Sequence, residues 1–136
     1  MTRESLVARM MTEAGQLVLV VDDYQDAREL YAEYFVLSGF RVAEASNGAE
    51  AVEKALELAP DVILMDLSLP EIDGWEATRR LKANRQTKHI PVVALTSHAL
   101  AGFSDSARKA GCDAVITKPC LPDRLVGEVR RLLESS

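Results

Sequence analysis

The sequence feature that most constrains the fold is a regular alternation of short apolar runs with longer segments of helical periodicity. The five runs are LVLVV (17–21), FRVAEA (40–45), DVILMD (61–66), PVVAL (91–95) and DAVIT (113–117). Four of them are almost continuously apolar, which is typical of strands covered on both faces. The run at 40–45 carries Arg41 and Glu44, so we place it at a sheet edge. Strands that alternate with helices favour right-handed crossovers and a parallel sheet.

The segments between the runs carry the start and stop signals of helices. Asn47 is a candidate N-cap, Gly39 and Gly111 are candidate stops, and Pro122 suits a first helical turn. The third helix is expected to begin after a turn at Pro70 and Gly74. The stripes expected to face the sheet are Ala27, Leu30, Tyr31, Tyr34 and Leu37; Val52, Ala55, Leu56 and Ala59; and Leu125, Val129, Leu132 and Leu133.

Five strands and five helices predict an α/β fold with a flavodoxin-like, doubly wound five-stranded parallel sheet of strand order 2-1-3-4-5. A chain of 136 residues is long enough for one such domain, which we place at residues 16–134. Residues 1–15 precede the first apolar run and form an N-terminal extension, which is either disordered or a short helix.

Composition excludes several classes of protein. The net charge of −5 argues against direct nucleic-acid binding, which normally leaves a basic footprint. No apolar run approaches the roughly 20 residues that span a bilayer, and the first residues lack a secretory apolar core. Cys112 and Cys120 match no zinc spacing and are expected to be reduced thiols. We therefore expect a cytoplasmic protein with neither a nucleic-acid nor a membrane partner.

Polar residues stand where four of the five runs end. Asp22 and Asp23 follow the first run, Asp66 ends the third, Thr96 follows the fourth, and Lys118 follows the fifth. Ligands of an open parallel sheet bind beyond the carboxyl ends of its strands, so these side chains are expected at one rim. Each residue alone is equally well explained as an acidic turn or a cap. Their joint placement favours a functional site.

The residue types at this rim predict phosphoryl-transfer chemistry. Three neighbouring carboxylates repel one another unless a cation joins them. Magnesium suits such a site, because it is usually held by one or two carboxylates, waters and phosphate oxygens. Lys118 adds a positive charge for an anion, and Thr96 adds a neutral hydrogen-bond donor. Positioned charges of this kind are what catalyse phosphoryl transfer.

The segments VVDD, VILMDLSLPEIDGWE, VALTSHA and AGCDAVITKP, in that order, resemble the motifs of a response-regulator receiver domain of two-component signalling. The resemblance covers roughly residues 16–134 and is to the chemotaxis-like, single-domain receivers. It implies Asp66 as the phosphoacceptor, whose carboxylate attacks a phosphohistidine. Lys118 would pair with the phosphoryl oxygens, and Thr96 would hydrogen-bond one of them.

The resemblance also implies a magnesium site. Asp23 would bind Mg²⁺ directly, Asp22 mostly through bound water, and Asp66 through its carboxylate. The backbone carbonyl of Ser68 would supply a further ligand, which leaves the Ser68 side chain free to vary.

Four positions depart from the family pattern or extend it. Val115 stands where members commonly carry the Tyr or Phe that turns inward on activation, so the usual output face lacks its ring. Ser68 and His98 would flank the approach of a hydrolytic water, and we hypothesise that they set the acyl-phosphate lifetime. Trp75 is expected near the site, with a fluorescence that responds to magnesium or a phosphate mimic.

The predicted function is that of a single-domain response regulator, phosphorylated by a histidine kinase or a histidine-phosphotransfer protein. It would then bind a downstream protein partner or relay the phosphoryl group, and would catalyse only the phosphorylation and dephosphorylation of its own aspartate. One alternative is a receiver cut from a hybrid kinase or a larger regulator. Another is a magnesium-dependent aspartyl-phosphate phosphatase, although Ser68 stands where such enzymes place a second Asp. No G-x-G-x-x-G follows the first strand, which argues against a dinucleotide-binding enzyme.

Overall fold

The computed structural model describes residues 15–67, 71–96, 107–118 and 120–134, with side chains omitted at 71–73. Strands and helices alternate through these residues, and each strand lies within one residue of its predicted run. The strands are β1 (Leu17–Val21), β2 (Arg41–Ala45), β3 (Val62–Asp66), β4 (Val92–Thr96) and β5 (Ala114–Thr117). The helices are α1 (Gln25–Leu37), α2 (Gly48–Leu58), α3 (Glu71–Ala83), α4 (107–110) and α5 (Pro122–Glu134).

The five strands form one parallel sheet in the order β2-β1-β3-β4-β5, as predicted, with β2 at an edge. Every neighbouring pair runs parallel, from β1 against β2 and β3 to β4 against β3 and β5. The sheet is therefore the flavodoxin-like doubly wound arrangement that the alternation predicts.

The sheet separates two apolar cores, because successive strand residues point to opposite faces. We call them the α2–α4 core and the α1–α5 core, after the helices that cover each face. The α2–α4 core includes Leu19, Ala51, Ala55, Ile63, Met65, Ala77, Leu81 and Ala107. The α1–α5 core includes Val20, Phe35, Phe40, Leu64, Leu95, Leu125, Val126 and Val129.

The expected apolar stripe is correct for α5 but partly wrong for α1 and α2. In α1, Leu37 is 77% exposed and Leu30 is also exposed, whereas Phe35 is fully buried. Phe35 takes the inward position because its ring packs edge-to-face on Phe40, with the ring centroids 5.5 Å apart. In α5, Leu125 and Val129 are buried as expected.

In α2 the small residues face the sheet and Leu56 does not, while Val52 is partly buried against the α2–α4 core as expected. Ala51 and Ala55 are buried, whereas Leu56 is 42% exposed. Ala59, expected on the inward stripe, instead ends the helix in a left-handed conformation at φ +48°. An alanine side chain lets the α2 backbone approach the sheet closely, which a leucine at the same position would prevent.

The predicted helix boundaries are largely confirmed. The side chain of Asn47 accepts a hydrogen bond from the Glu50 backbone N–H, as an N-cap does. Gly39 and Gly111 adopt positive φ values at helix ends. Gly74 was wrongly expected in the turn before α3, because the helix already begins at Glu71. A Cβ atom at Gly74 would lie 2.5 Å from Leu67 Cδ2, so any other residue here would force the buried Leu67 side chain to shift.

We predict that Phe35→Ala lowers the free energy of unfolding by about 3–5 kcal/mol, because the ring is removed from a closed core. Leu37→Ala, on the same helix but 77% exposed, is the matched control and should change it by less than about 0.5 kcal/mol. Urea unfolding followed by circular dichroism measures both. Equal losses for the two variants would contradict the inward face assigned to α1.

Candidate functional site

The carboxyl ends of four strands bring most of the predicted site residues to one edge of the sheet. Val21 pairs with Met65, so Asp22 and Asp66 follow side by side. Asp66 pairs with Leu95, the residue before Thr96. Thr96 pairs with Thr117, and the Lys118 backbone N–H donates to the Thr96 carbonyl at 2.6 Å.

Asp66 and Lys118 form an ion pair at the centre of this edge. Lys118 Nζ lies 2.5 Å from Asp66 Oδ2, and the Asp66 side chain is only 5% exposed. Burial lowers the pKa of Lys118, but its hydrogen bond to Asp66 and the charge of that carboxylate raise the pKa above its ordinary value overall. Lys118 therefore stays charged, as a lysine that binds an anion must.

Asp22 is a buried carboxylate beside this pair. The Tyr24 backbone N–H donates to Asp22 Oδ1 at 2.9 Å, but Oδ2 has no hydrogen-bond donor among the described residues. The pKa of Asp22 is raised to about 7, mainly by burial; the Tyr24 N–H lowers it, Asp66 raises it, and Lys118 lowers it. A buried carboxylate oxygen without a donor, beside a second carboxylate, is an environment that a cation would stabilise.

The donor set at this edge fits magnesium better than a metal that needs a complete cage of side chains. Within the ranges that the structure describes, no three His, Cys, Asp or Glu side chains are grouped closely enough to hold a metal ion. Magnesium does not require such a group, since one or two carboxylates, waters and phosphate oxygens satisfy it. Asp22 and Asp66 supply two carboxylates, and Asp23, which is exposed, follows directly.

The structure describes some of the remaining predicted residues and not others. Thr96 is fully buried at the end of β4. Val115 is partly buried in β5 and packs against the α2–α4 core. Trp75 is also partly buried against that core, and its fluorescence response stays a prediction. Ser68, His98 and residues 1–14 lie outside the described residues.

Two residues near the site were not predicted as part of it. Arg28 donates to the Asp22 carbonyl at 3.0 Å and pairs with Glu44 at 3.1 Å, which fixes the loop after β1 to strand β2. Tyr31, expected only as a core residue, has its ring centroid 5.9 Å from Lys118 Nζ. Periodicity identifies the inward face of α1, but it does not reveal which strand end that face meets.

No helix in the described ranges combines the length and the apolar character needed to cross a bilayer.

We predict that Asp22→Asn stabilises the metal-free protein by about 2–4 kcal/mol at pH 8. The raised pKa means that folding favours the protonated carboxyl, so wild type loses stability as the pH rises from 3.8 to about 7, and the loss is complete above that. Asparagine keeps an oxygen for the Tyr24 N–H and removes the charge. The gain over wild type should shrink as the pH falls towards 3.8, where the carboxyl is protonated in both states. Urea unfolding in EDTA measures it, and a gain that does not depend on pH would contradict this electrostatic cause.

Comparison with known proteins identifies relatives of similar length. The relative "Polar-differentiation response regulator DivK" of Brucella anthropi is 37% identical over 116 residues, which are 85% of this chain and 94% of DivK. The chemotaxis protein CheY4 of Vibrio cholerae has a TM-score of 0.79 at 28% identity, over 85% of this chain and 96% of CheY4.

A second solved structure bears on the metal. The receiver domain of the sensor histidine kinase PA1611 from Pseudomonas aeruginosa has a TM-score of 0.76 at 32% identity, over 89% of this chain and 96% of that one. That structure holds a magnesium ion coordinated in its active-site cleft.

The family model described as the response regulator receiver domain matches residues 18–130. With its sheet order and strand-end residues, this chain belongs to the response regulator receiver domain family.

Proposed function

We propose that this receiver is switched by phosphorylation of Asp66, with the phosphoryl group supplied by a histidine kinase or a histidine-phosphotransfer protein. The observation that carries the proposal is the ion pair of Asp66 with Lys118 at the carboxyl edge of the sheet. A carboxylate presented there is a nucleophile, and the ammonium beside it can bind the anionic phosphoryl group. A cytoplasmic location is part of this proposal.

In the proposed step, an Asp66 carboxylate oxygen attacks the phosphorus of the phosphohistidine. An O–P bond forms, the N–P bond breaks, and the imidazole leaves with the electron pair of that bond. Lys118 compensates the charge of the phosphoryl oxygens, and the Thr96 hydroxyl donates to one of them. Each group is supplied by the end of a different strand, so the sheet itself fixes the geometry of the step.

Magnesium is the cofactor that we assign to this step. Asp22, Asp23, Asp66 and the backbone carbonyl of Ser68 would hold the ion, which supplies positive charge to the phosphoryl oxygens. Asp22 Oδ2, which has no hydrogen-bond partner in the part of the chain that the structure describes, and the raised pKa of Asp22 support this assignment. The protein would catalyse only the phosphorylation and dephosphorylation of its own aspartate.

Phosphorylation would act by a population shift. The phosphoryl group favours a state that is rare without it, and that state binds a downstream protein or passes the phosphoryl group onward. A magnesium-dependent phosphatase that uses Asp66 as its nucleophile is less favoured, because Ser68 stands where such enzymes place a second Asp as general acid.

We predict that incubation with Mg²⁺ and acetyl phosphate labels wild-type protein with one acid-stable, base-labile phosphate, and that Asp66→Asn abolishes it. Asparagine has the same shape but is not a nucleophile. Asp123→Asn, at an exposed aspartate in the first turn of α5, is the matched control and should label normally. Phosphate-affinity electrophoresis resolves the two forms. Label that survives in Asp66→Asn would place the acceptor elsewhere and refute the proposal.

We also predict that Mg²⁺ raises the thermal midpoint of EDTA-treated wild-type protein in a saturable way, since a ligand that binds only the folded state stabilises it. Asp22→Asn and Asp23→Asn should each weaken this response about tenfold in Mg²⁺ concentration. Asp26→Asn, at an exposed position on α1, should respond as wild type does. A response unchanged in the first two variants would remove them from the metal site.

A further inference from the structure

The ammonium group of Lys118 lies between a carboxylate and an aromatic ring. Asp66 Oδ2, at the end of β3, is 2.5 Å from Lys118 Nζ. The ring of Tyr31, on helix α1, has its centroid 5.9 Å from the same nitrogen. A cation within about 6 Å of a ring centroid is attracted by the negative face of the ring. Besides the carboxylates at the strand ends, Lys118 therefore has an electrostatic neighbour that comes from a helix.

The packing of α1 holds this ring in place. Tyr31 is half-buried and packs against the α1–α5 core. Phe35, one turn further along α1, is fully buried against Phe40 and anchors the helix. Burial raises the pKa of the Tyr31 hydroxyl, with Lys118 acting against it and Asp66 adding to it, so the phenol stays protonated at neutral pH. The neighbour of Lys118 is therefore a fixed, neutral ring.

Phosphorylation of Asp66 would alter this arrangement. A phosphoryl group extends beyond Oδ2 and carries more negative charge than the carboxylate, so the ammonium has to follow it. The attraction between the ammonium and the ring depends on their separation, so α1 would experience the move directly. Val115 has no ring that could respond, and it packs against the α2–α4 core on the other face of the sheet.

We propose that Tyr31 is a positioning residue for Lys118: its ring holds the ammonium beside Asp66 and couples the state of Asp66 to helix α1. This inference rests on the proposed phosphorylation of Asp66. It assigns to this chain a route by which the signal leaves the site without an aromatic residue at position 115.

Three replacements at position 31 separate the ring's electrostatics from its packing. Tyr31→Phe keeps the ring and removes the hydroxyl. Tyr31→Leu removes the ring. Pentafluorophenylalanine at position 31 keeps a ring of nearly the same shape but reverses its quadrupole, so it carries the test even if the leucine variant fails to fold. Tyr34→Leu, on the same helix, is the matched control for loss of a tyrosine.

Each variant is titrated with beryllofluoride, a phosphoryl mimic, in the presence of Mg²⁺. NMR spectra record the binding and the response of the backbone amide signals of α1. We expect Tyr31→Leu and the pentafluoro variant to bind it about 5–10-fold more weakly than wild type, and the α1 signals to stop responding. Tyr31→Phe and Tyr34→Leu should bind within about twofold of wild type. Phosphorylation by acetyl phosphate should slow in the same order.

Different results overturn different parts of the proposal. Wild-type affinity in both the leucine and the pentafluoro variants would refute the positioning role. Weakened binding with an unchanged response of the α1 signals would refute the coupling to α1. If wild-type protein neither binds beryllofluoride nor is phosphorylated, the proposed function fails and this inference fails with it. That outcome is distinguishable, because Asp66→Asn and wild type would then behave alike.

Discussion

The ion pair between Asp66 and Lys118 is the interaction on which the site depends. The four residues of β3 before Asp66 are buried, and the Asp66 side chain that follows them is only 5% exposed. A charge so placed is costly unless an opposite charge meets it. Lys118 can meet it because β4 lies between β3 and β5 and presents the Thr96 carbonyl to the Lys118 N–H. The strand order thus brings the positive charge of Lys118 to the negative charge of Asp66.

Much of the fold followed from the order of apolar runs, because continuous runs separated by helices have few ways to form a sheet. The inward faces of α1 and α2 did not follow. Helical periodicity shows that several apolar residues share a stripe, but α1 carries apolar residues on more than one side. Phe35 turns inward because Phe40 offers it an aromatic partner, and Leu37 is left exposed. That choice depends on a residue in a different segment.

The residues of the site likewise divide into those that the sequence predicts and those that it does not. Asp22, Asp66, Thr96 and Lys118 could be grouped from the sequence, because strand ends in a parallel sheet share one edge. Tyr31 and Arg28 could not, since a helix meets that edge at an angle set by packing. Gly74 was misplaced for a related reason: its role comes from the nearness of Leu67, which no local turn signal records.

Because the interior is divided into two cores, the residues of each face of the sheet are constrained by a different set of packing partners. Tyr31 and Phe35 belong to the α1–α5 core, whereas Val115, Ala51 and Leu81 belong to the core on the other face. The sheet stands between the two cores, so the side chains of one core do not pack directly against those of the other. One face of such a molecule can therefore diverge under selection for a new partner while the opposite face, and the aspartate between them, stays the same.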